Sequence, residues 1–192
     1  MSKNRYLFWK LVEPEHLKAR AYCRKLMRNR EDGDDLYQDA LVSALTGFDN
    51  LRKREAFKPW LYRIIVNNFK NRIKQPWWKR FAPLTPQIEE TIGGTNPVAV
   101  QAARRRLDIA FRALSPDEKA LVTLFELEGW PTSDLAELVG LSEGNVRVRL
   151  TRARSKMRKA LIRYFKGSGS EKLIQTLSGE DKVCVVQKPV KD

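Results

Sequence analysis

The stretch Pro131 to Ala160, PTSDLAELVGLSEGNVRVRLTRARSKMRKA, leaves this chain few folds to choose from. Its spacing predicts a short helix over 132–139, a tight turn, and a longer helix over 143–165. Thr132 or Ser133 offers a capping oxygen to the first helix, whose Leu135, Ala136, Leu138 and Val139 share one face. Gly140 tolerates the left-handed conformation that stops a helix, and Leu141 is placed to plug the corner. Ser142 can cap the second helix, where Val146, Leu150, Ala153, Met157 and Leu161 recur at helical spacing. From Ser142 to Lys166 the chain holds nine Lys or Arg residues and one acid, Glu143. A solvated helix face ordinarily mixes signs so that neighbours one turn apart can pair. Here Arg147, Arg149, Arg152, Arg154, Lys156, Arg158 and Lys159 repel one another, which asks for a polyanionic partner. A helix-turn-helix with an apolar back and a cationic front suits the DNA major groove.

Charge along the rest of the chain agrees. The formal net charge is +14 over 192 residues, enough length for one or two small domains. Residues 1–74 carry 17 basic and 9 acidic side chains, and residues 101–166 carry 14 and 8. The segments between and after them balance, at 2 and 2 for 75–100 and 4 and 4 for 167–192. Two basic blocks joined by a neutral connector predict two separate contacts with nucleic acid, weakening steeply with salt. No apolar run is long enough to span a bilayer, and the N-terminus lacks the apolar core of a signal peptide. The two cysteines, Cys23 and Cys184, lie far apart, which argues against a disulfide scaffold and for a reducing, cytoplasmic setting.

The expected fold is all-α: two small helical domains over 1–74 and 101–166, a linker over 75–100 and a flexible tail over 167–192. Helices are expected near 4–12, 14–30, 33–47, 58–74, 100–113, 116–128, 132–139 and 143–165. The connector holds four prolines and a Gly-Gly pair and has no sustained periodicity. Its Trp77, Trp78 and Phe81 are placed to dock either on one of the domains or on a partner. In the tail, Val183 to Val186 could form a short strand on binding something.

The N-terminal block carries a second constellation. Asp32, Asp34 and Asp35 precede Leu36, Leu41, Leu45 and Phe48, which are spaced for a buried helix face. Helix-start chemistry accounts for Asp32 or Asp34. It does not account for Gln38 and Asp39, which leave an acidic patch suited to a basic protein partner. The run from Phe57 to Arg72 follows, with Pro59 in a first helical turn. Leu61, Ile64, Ile65 and Phe69 can face a core, while Arg63, Asn67, Lys70 and Asn71 share another face. Aromatics interleaved with Lys, Arg and Asn are what holding unpaired bases requires: flat faces, amides and cations. Trp60 or Tyr62 taken singly reads first as a core aromatic. The cluster of Asn67, Asn68 and Asn71 has no evident structural duty, since Asn is a poor helix former.

These blocks together resemble the bacterial extracytoplasmic-function (ECF) RNA polymerase sigma factors, within the housekeeping-type sigma family. The resemblance rests on Asp34 to Asp39, on the Phe-x-x-Trp-Leu-Tyr-Arg-Ile run of Phe57 to Asn67, and on Leu141 to Arg154, and it covers roughly residues 8–74 and 101–165. It implies a sigma region 2-like domain and a region 4-like domain. It further implies that Asp34, Asp35, Gln38 and Asp39 dock on the clamp helices of the largest catalytic subunit of core RNA polymerase. The polymerase flap and an anti-sigma factor are further implied partners. By the same resemblance the loop over 48–58 and the following helix open the minus-ten element and hold a flipped base. The residues concerned are Lys53, Phe57, Lys58, Trp60, Tyr62, Arg63, Asn67, Asn68, Lys70 and Asn71. The minus-thirty-five element falls to Ser142, Asn145, Arg147, Val148, Arg149, Thr151, Arg152 and Arg154. Of these, Asn145, Arg147, Val148, Thr151 and Arg152 face the bases. The connector is implied to thread near the polymerase active-site cleft and RNA exit path. Two features depart from the family: the tail over 167–192 exceeds its usual end, and apolar Val148 suits a thymine methyl rather than a hydrogen bond.

Two other classes of protein share parts of this pattern. A free-standing helix-turn-helix regulator would bind duplex DNA as a symmetric dimer, but the Phe57 run and the acidic patch argue against it. An enzyme acting on nucleic acid would need a catalytic or metal constellation. His16 and Cys23 can share a helix face, yet no third ligand or carboxylate cluster accompanies them. No catalytic residue, metal site or cofactor is expected.

Overall fold

The computed structural model of the chain describes residues 3–51, 53–74 and 97–167. Trp77, Trp78 and Phe81 of the connector, and Val183 to Val186 of the tail, lie outside the described residues. Among the described residues all regular structure is helical. The chain divides into two compact units, Met1–Gly94 with Ser115–Ala153, and Thr95–Leu114 with Arg154–Asp192.

The first unit opens with α1 (Lys3–Val12), α2 (His16–Met27), α3 (Arg30–Gly47) and α4 (Phe57–Lys74). Residues 14–30 do not form the single expected helix. A 3-10 turn over Glu13–Glu15 precedes α2, and Arg28 ends it with a left-handed φ of 59°. Asn29 then caps α3 by accepting from the Asp32 amide at 3.2 Å, so α3 starts three residues before the expected Gly33. The two-residue link folds α3 back along α2. A Cβ on Gly33 would lie 2.4 Å from the Arg24 Cα, so only glycine permits this approach. Phe8, Val12, Tyr22, Leu36, Leu61, Ile65 and Phe69 fill the core between these helices. Phe8, Phe48 and Phe57 meet edge to face with centroids 5.3 to 6.3 Å apart, an arrangement worth about 0.5–1.5 kcal/mol per pair beyond burial. This cluster anchors the loop before α4.

The same unit takes in Ser115–Ala153. Ser115 and Glu118 form a reciprocal capping box, and Pro116 occupies the first turn of α6 (Pro116–Val122). The expected helix over 116–128 is not uniform: a wider π turn over Thr123–Leu127 ends it. Gly129, at φ 68°, then turns the chain so that Trp130 is buried against Tyr62 of α4, ring centroids 4.6 Å apart. Next come α7 (Thr132–Val139) and α8 (Glu143–Gly167). In the second unit α5 (Pro97–Arg112) sets Arg105 and Arg106 over the rings of Tyr164 and Phe165, at 6.0 and 5.5 Å.

Candidate nucleic-acid interface

The turn between α7 and α8 has the expected geometry. Gly140 sits at φ 67°, ψ 38°, and the Leu141 amide reaches back to the Ala136 carbonyl at 3.0 Å, closing α7. The Ser142 hydroxyl accepts from the Asn145 amide at 3.3 Å and caps α8. The start of α7 corrects the expectation. Neither Thr132 nor Ser133 caps it: the helix begins on Pro131, and the Thr132 hydroxyl donates to the Glu143 carboxylate at 2.9 Å, tying the two helix starts together. Along α8, Val146, Leu150 and Ala153 are buried, which turns Asn145, Arg147, Val148, Arg149, Thr151 and Arg152 outward. Ser142 is exposed beside them and Arg154 is half-buried. Arg147 pairs with Glu143 at 3.1 Å one turn back, so the series is not wholly unpaired.

On α4 the outcome is mixed. Lys53, Trp60 and Arg63 line an open cleft of about 330 Å³ together with Asn50, Leu51 and Pro59, and Glu137 of α7 supplies one wall. Phe57 and Tyr62, by contrast, are 3% and 1% exposed. Phe57 belongs to the aromatic cluster and Tyr62 packs between Tyr22 and Trp130, so neither ring is open to a base. Both are corrected to core residues. Burial also holds the Tyr62 phenol well above its usual pKa, which keeps it neutral. Asn68 has the structural duty the sequence concealed, donating to Ser43 at 3.2 Å across to α3. Asn67 and Asn71 are exposed. The remaining cations are engaged. Lys58 lies 4.6 Å over the Trp130 ring, and Lys70 meets Asp117 at 2.8 Å. The Arg63 guanidinium donates to the carbonyls of Leu138 and Glu137 at 2.9 and 2.7 Å.

The acids of α3 separate into an inner and an outer set. Asp34 accepts paired hydrogen bonds of 2.7 to 2.8 Å from both Arg24 and Arg20 of α2. Those bonds, Arg24's first, hold its carboxyl well below the usual carboxylate range. Asp34 is therefore committed to the fold and is removed from the outward patch. Asp35 and Asp39 are exposed and share Arg72 of α4, at 3.3 and 3.2 Å, with Gln38 exposed between them. Sequence reading missed Arg20, Arg24, Arg72 and Trp130. The one-turn spacing of Arg20 and Arg24 was the available signal for a clamp on a single carboxylate. Among the described residues no group of three or more His, Cys, Asp or Glu could hold a metal ion. His16 instead meets the Tyr37 hydroxyl at 2.9 Å, and Cys23 is buried with its thiol pKa raised by that burial.

The profile of Sigma-70 region 2 matches residues 11–79, and that of Sigma-70, region 4 matches residues 104–157. The ECF RNA polymerase sigma factor SigM of Mycobacterium tuberculosis is 32% identical over 161 residues, covering 82% of this chain and 79% of its own length. The chain belongs to the ECF RNA polymerase sigma factors. The ECF sigma-E factor of Escherichia coli K12 is 31% identical over 134 residues, with 64% of this chain and 70% of its own covered. Among solved structures, the sigma factor RpoE of Bartonella quintana, in complex with the anti-sigma factor NepR, superposes with a TM-score of 0.59 at 21% identity. It covers 80% of this chain and 96% of that one. CnrH, in complex with the cytosolic domain of CnrY, gives 0.59 at 24% identity, covering 83% and 90%. These two likenesses speak for the all-helical fold.

As a transcription initiation factor of this family, the sigma factor carries α4 in its region 2, and α7 with the outward face of α8 in its region 4. The packing units cut across those regions, since α6, α7 and the first part of α8 belong to the unit built on region 2. No described helix is long and apolar enough to cross a membrane.

Proposed function

We propose that this sigma factor binds core RNA polymerase, reads a minus-thirty-five element with α8 and a minus-ten element with α4, and helps open the duplex between them. The observation that carries this reading is the cleft at the start of α4, where Lys53, Trp60 and Arg63 set cations around a half-buried indole. Such a cleft offers stacking to an unpaired base and charge to its phosphates. Opening then requires no nucleotide hydrolysis, because trapping an extruded base offsets an unpairing cost of a few kcal/mol. Asn67 and Asn71 extend the same face. On α8, Asn145, Arg147, Val148, Thr151 and Arg152 meet base edges, while Ser142, Arg149 and Arg154 meet phosphates. Asp35, Gln38 and Asp39 form the surface for the polymerase clamp helices, and the flap takes the region 4 side. An anti-sigma factor is a further partner, and the site of action is the cytoplasm, where polymerase and promoter meet.

Transcription in vitro with purified core polymerase tests this directly. The chain confers start-site selection on a promoter library. Trp60→Ala abolishes open-complex formation, read by permanganate reactivity of unpaired thymines, and leaves minus-thirty-five footprints in place. Asp35→Lys impairs holoenzyme assembly in a pull-down. Specific binding of the isolated chain to duplex promoter as a dimer, with no change in polymerase specificity, would overturn the reading in favour of a free-standing regulator.

A further inference from the structure

The only acid between Ser142 and Lys166, Glu143, stands in the first turn of α8, the part of a recognition helix that reaches base edges. An acid at a helix start ordinarily offsets the helix dipole. A carboxylate without side-chain partners would serve that purpose, and this one is engaged twice. The Thr132 hydroxyl of α7 donates to its Oε2 at 2.9 Å, and the Arg147 guanidinium donates to the same oxygen through Nη2 at 3.1 Å. Exposure rises along this chain of contacts. Thr132 is half-buried, the Glu143 side chain is 46% exposed, and that of Arg147 is 68% exposed. The relay thus runs outward from the packed side of the turn to the surface that meets DNA. Without it, Arg147 would lose on binding the rotamer freedom of a long exposed side chain. One of its N–H groups is engaged by Glu143, and those remaining suffice for the paired contact that a guanine edge takes.

We propose that Glu143, held by Thr132, is a positioning residue for Arg147 and sets its preference for a guanine edge over phosphate. The proposal rests on the reading of α8 as the minus-thirty-five helix with Arg147 at the bases. A guanidinium with no such neighbour is drawn to any nearby phosphate, a contact that carries no sequence information. The carboxylate one turn back repels phosphate and draws the guanidinium toward the first turn of α8, where base edges lie. Removing the carboxylate therefore lowers discrimination at one base pair without lowering affinity for DNA of any sequence. A damaged fold would lower both together.

The test uses holoenzyme assembled from core polymerase and the full-length chain. It is titrated on promoter fragments carrying each of the four base pairs at every position of the minus-thirty-five element. Arg147→Ala marks the position that Arg147 reads, by losing discrimination there. Glu143→Ala, in which α8 keeps its Ser142 cap, lowers discrimination at that same position about three- to tenfold, part of what a paired arginine–guanine contact supplies. Thr132→Val moves it the same way by less, and Thr132→Ser, which keeps the hydroxyl, behaves as wild type. Discrimination at the other positions stays at the wild-type value, and binding to a scrambled element does not fall. Adding Glu143→Ala to Arg147→Ala lowers discrimination no further, since the two act on one contact. Equal losses at every position and on the scrambled element overturn the relay in favour of a structural tie between α7 and α8. A loss from Glu143→Ala at a different position overturns it too, making Glu143 itself the reader of that base. Both outcomes leave the minus-thirty-five reading standing. If Arg147→Ala costs no discrimination at any position, the base contact of Arg147 and the relay fall together.

Discussion

The faces of α4 and α8 carry the same chemistry and use it differently. On α8 the buried stripe of Val146, Leu150 and Ala153 holds the helix, and Asn145, Val148, Arg149 and Arg152 stand outward. On α4 the helix is held on two sides, by the core of α2 and α3 and by α6 and α7, and its Lys58, Arg63 and Lys70 are taken up by the second side. A cationic residue in the sequence therefore does not declare whether its charge is available to a partner or consumed within the fold. Exposure alone does not declare it either, because Arg63 is exposed while its guanidinium is bonded to two carbonyls.

The sharpest way to break this contrast is Trp130→Ala. The indole is 5% exposed and joins α4 to the helix-turn-helix through Tyr62. Removing a buried aromatic costs about 3–5 kcal/mol, read as a fall in the urea midpoint at unchanged slope. A loss under about 1 kcal/mol, within the scatter of surface changes, would show that α4 is not held on its second side. On the α8 face, Arg152→Ala leaves that midpoint in place. It weakens holoenzyme binding to the minus-thirty-five element by about 1–3 kcal/mol, measured by footprint titration. An Arg152→Ala variant that unfolds early but binds normally would reverse the roles of the two faces.

How legible each face was follows from what fixes it. The α7–α8 turn was readable because its determinants are local: Gly140, Ser142 and the spacing of Val146, Leu150 and Ala153 lie within fourteen residues of one another. The one local feature misread, a side-chain cap from Thr132 or Ser133, failed because Glu143 on the next helix captured the Thr132 hydroxyl. On α4 the deciding partners are distant in sequence, Arg63 with Leu138 and Tyr62 with Trp130, and periodicity carries no record of them. Phe57 and Tyr62, placed on the minus-ten face by the resemblance, proved to be core, which for Tyr62 is the reading its residue type taken singly suggested first. The start of α3 was misplaced for a related reason. Asn29 caps it, but Arg28 adopts a left-handed backbone with no glycine to announce the break.

Asp34 sharpens the contrast within α3, where its neighbours Asp35 and Asp39 keep their carboxylates exposed. The Arg24 and Arg20 bonds depress the folded pKa of Asp34 below its unfolded value. The stability it contributes is therefore complete above the ordinary carboxylate pKa of about 4 and is lost as pH falls through the lower folded value. Asp34→Asn should cost about 1–2 kcal/mol at neutral pH, with the side chains 20 to 39% exposed and the bonds partly screened. Its deficit against wild type closes as the pH drops below the carboxylate range. Urea titrations at pH 7 and below pH 4 check the sign. A deficit independent of pH would mean that lost packing, and not the carboxylate, carries the effect. Asp35→Asn should leave the same curves unmoved and act on polymerase binding instead.

The smallest effect tests the α8 face at its least charged point. Val148 is 46% exposed on the outward side of α8, among residues that otherwise bond through nitrogen or oxygen. An isopropyl group there gains nothing from a donor or acceptor on a base edge. It gains from covering a thymine methyl, the one apolar feature of the major groove. Burial of a single methyl-sized group is worth about 0.8 kcal/mol, close to a fourfold change in affinity. Replacing thymine by uracil, one position at a time across the minus-thirty-five element, should therefore weaken wild-type holoenzyme by that amount at a single position. The same replacement should leave the Val148→Ala variant nearly unaffected there, because the loss has already been taken on the protein side. If the two losses add in full, Val148 and that methyl are not in contact, and the outward face of α8 reads its element through polar side chains alone.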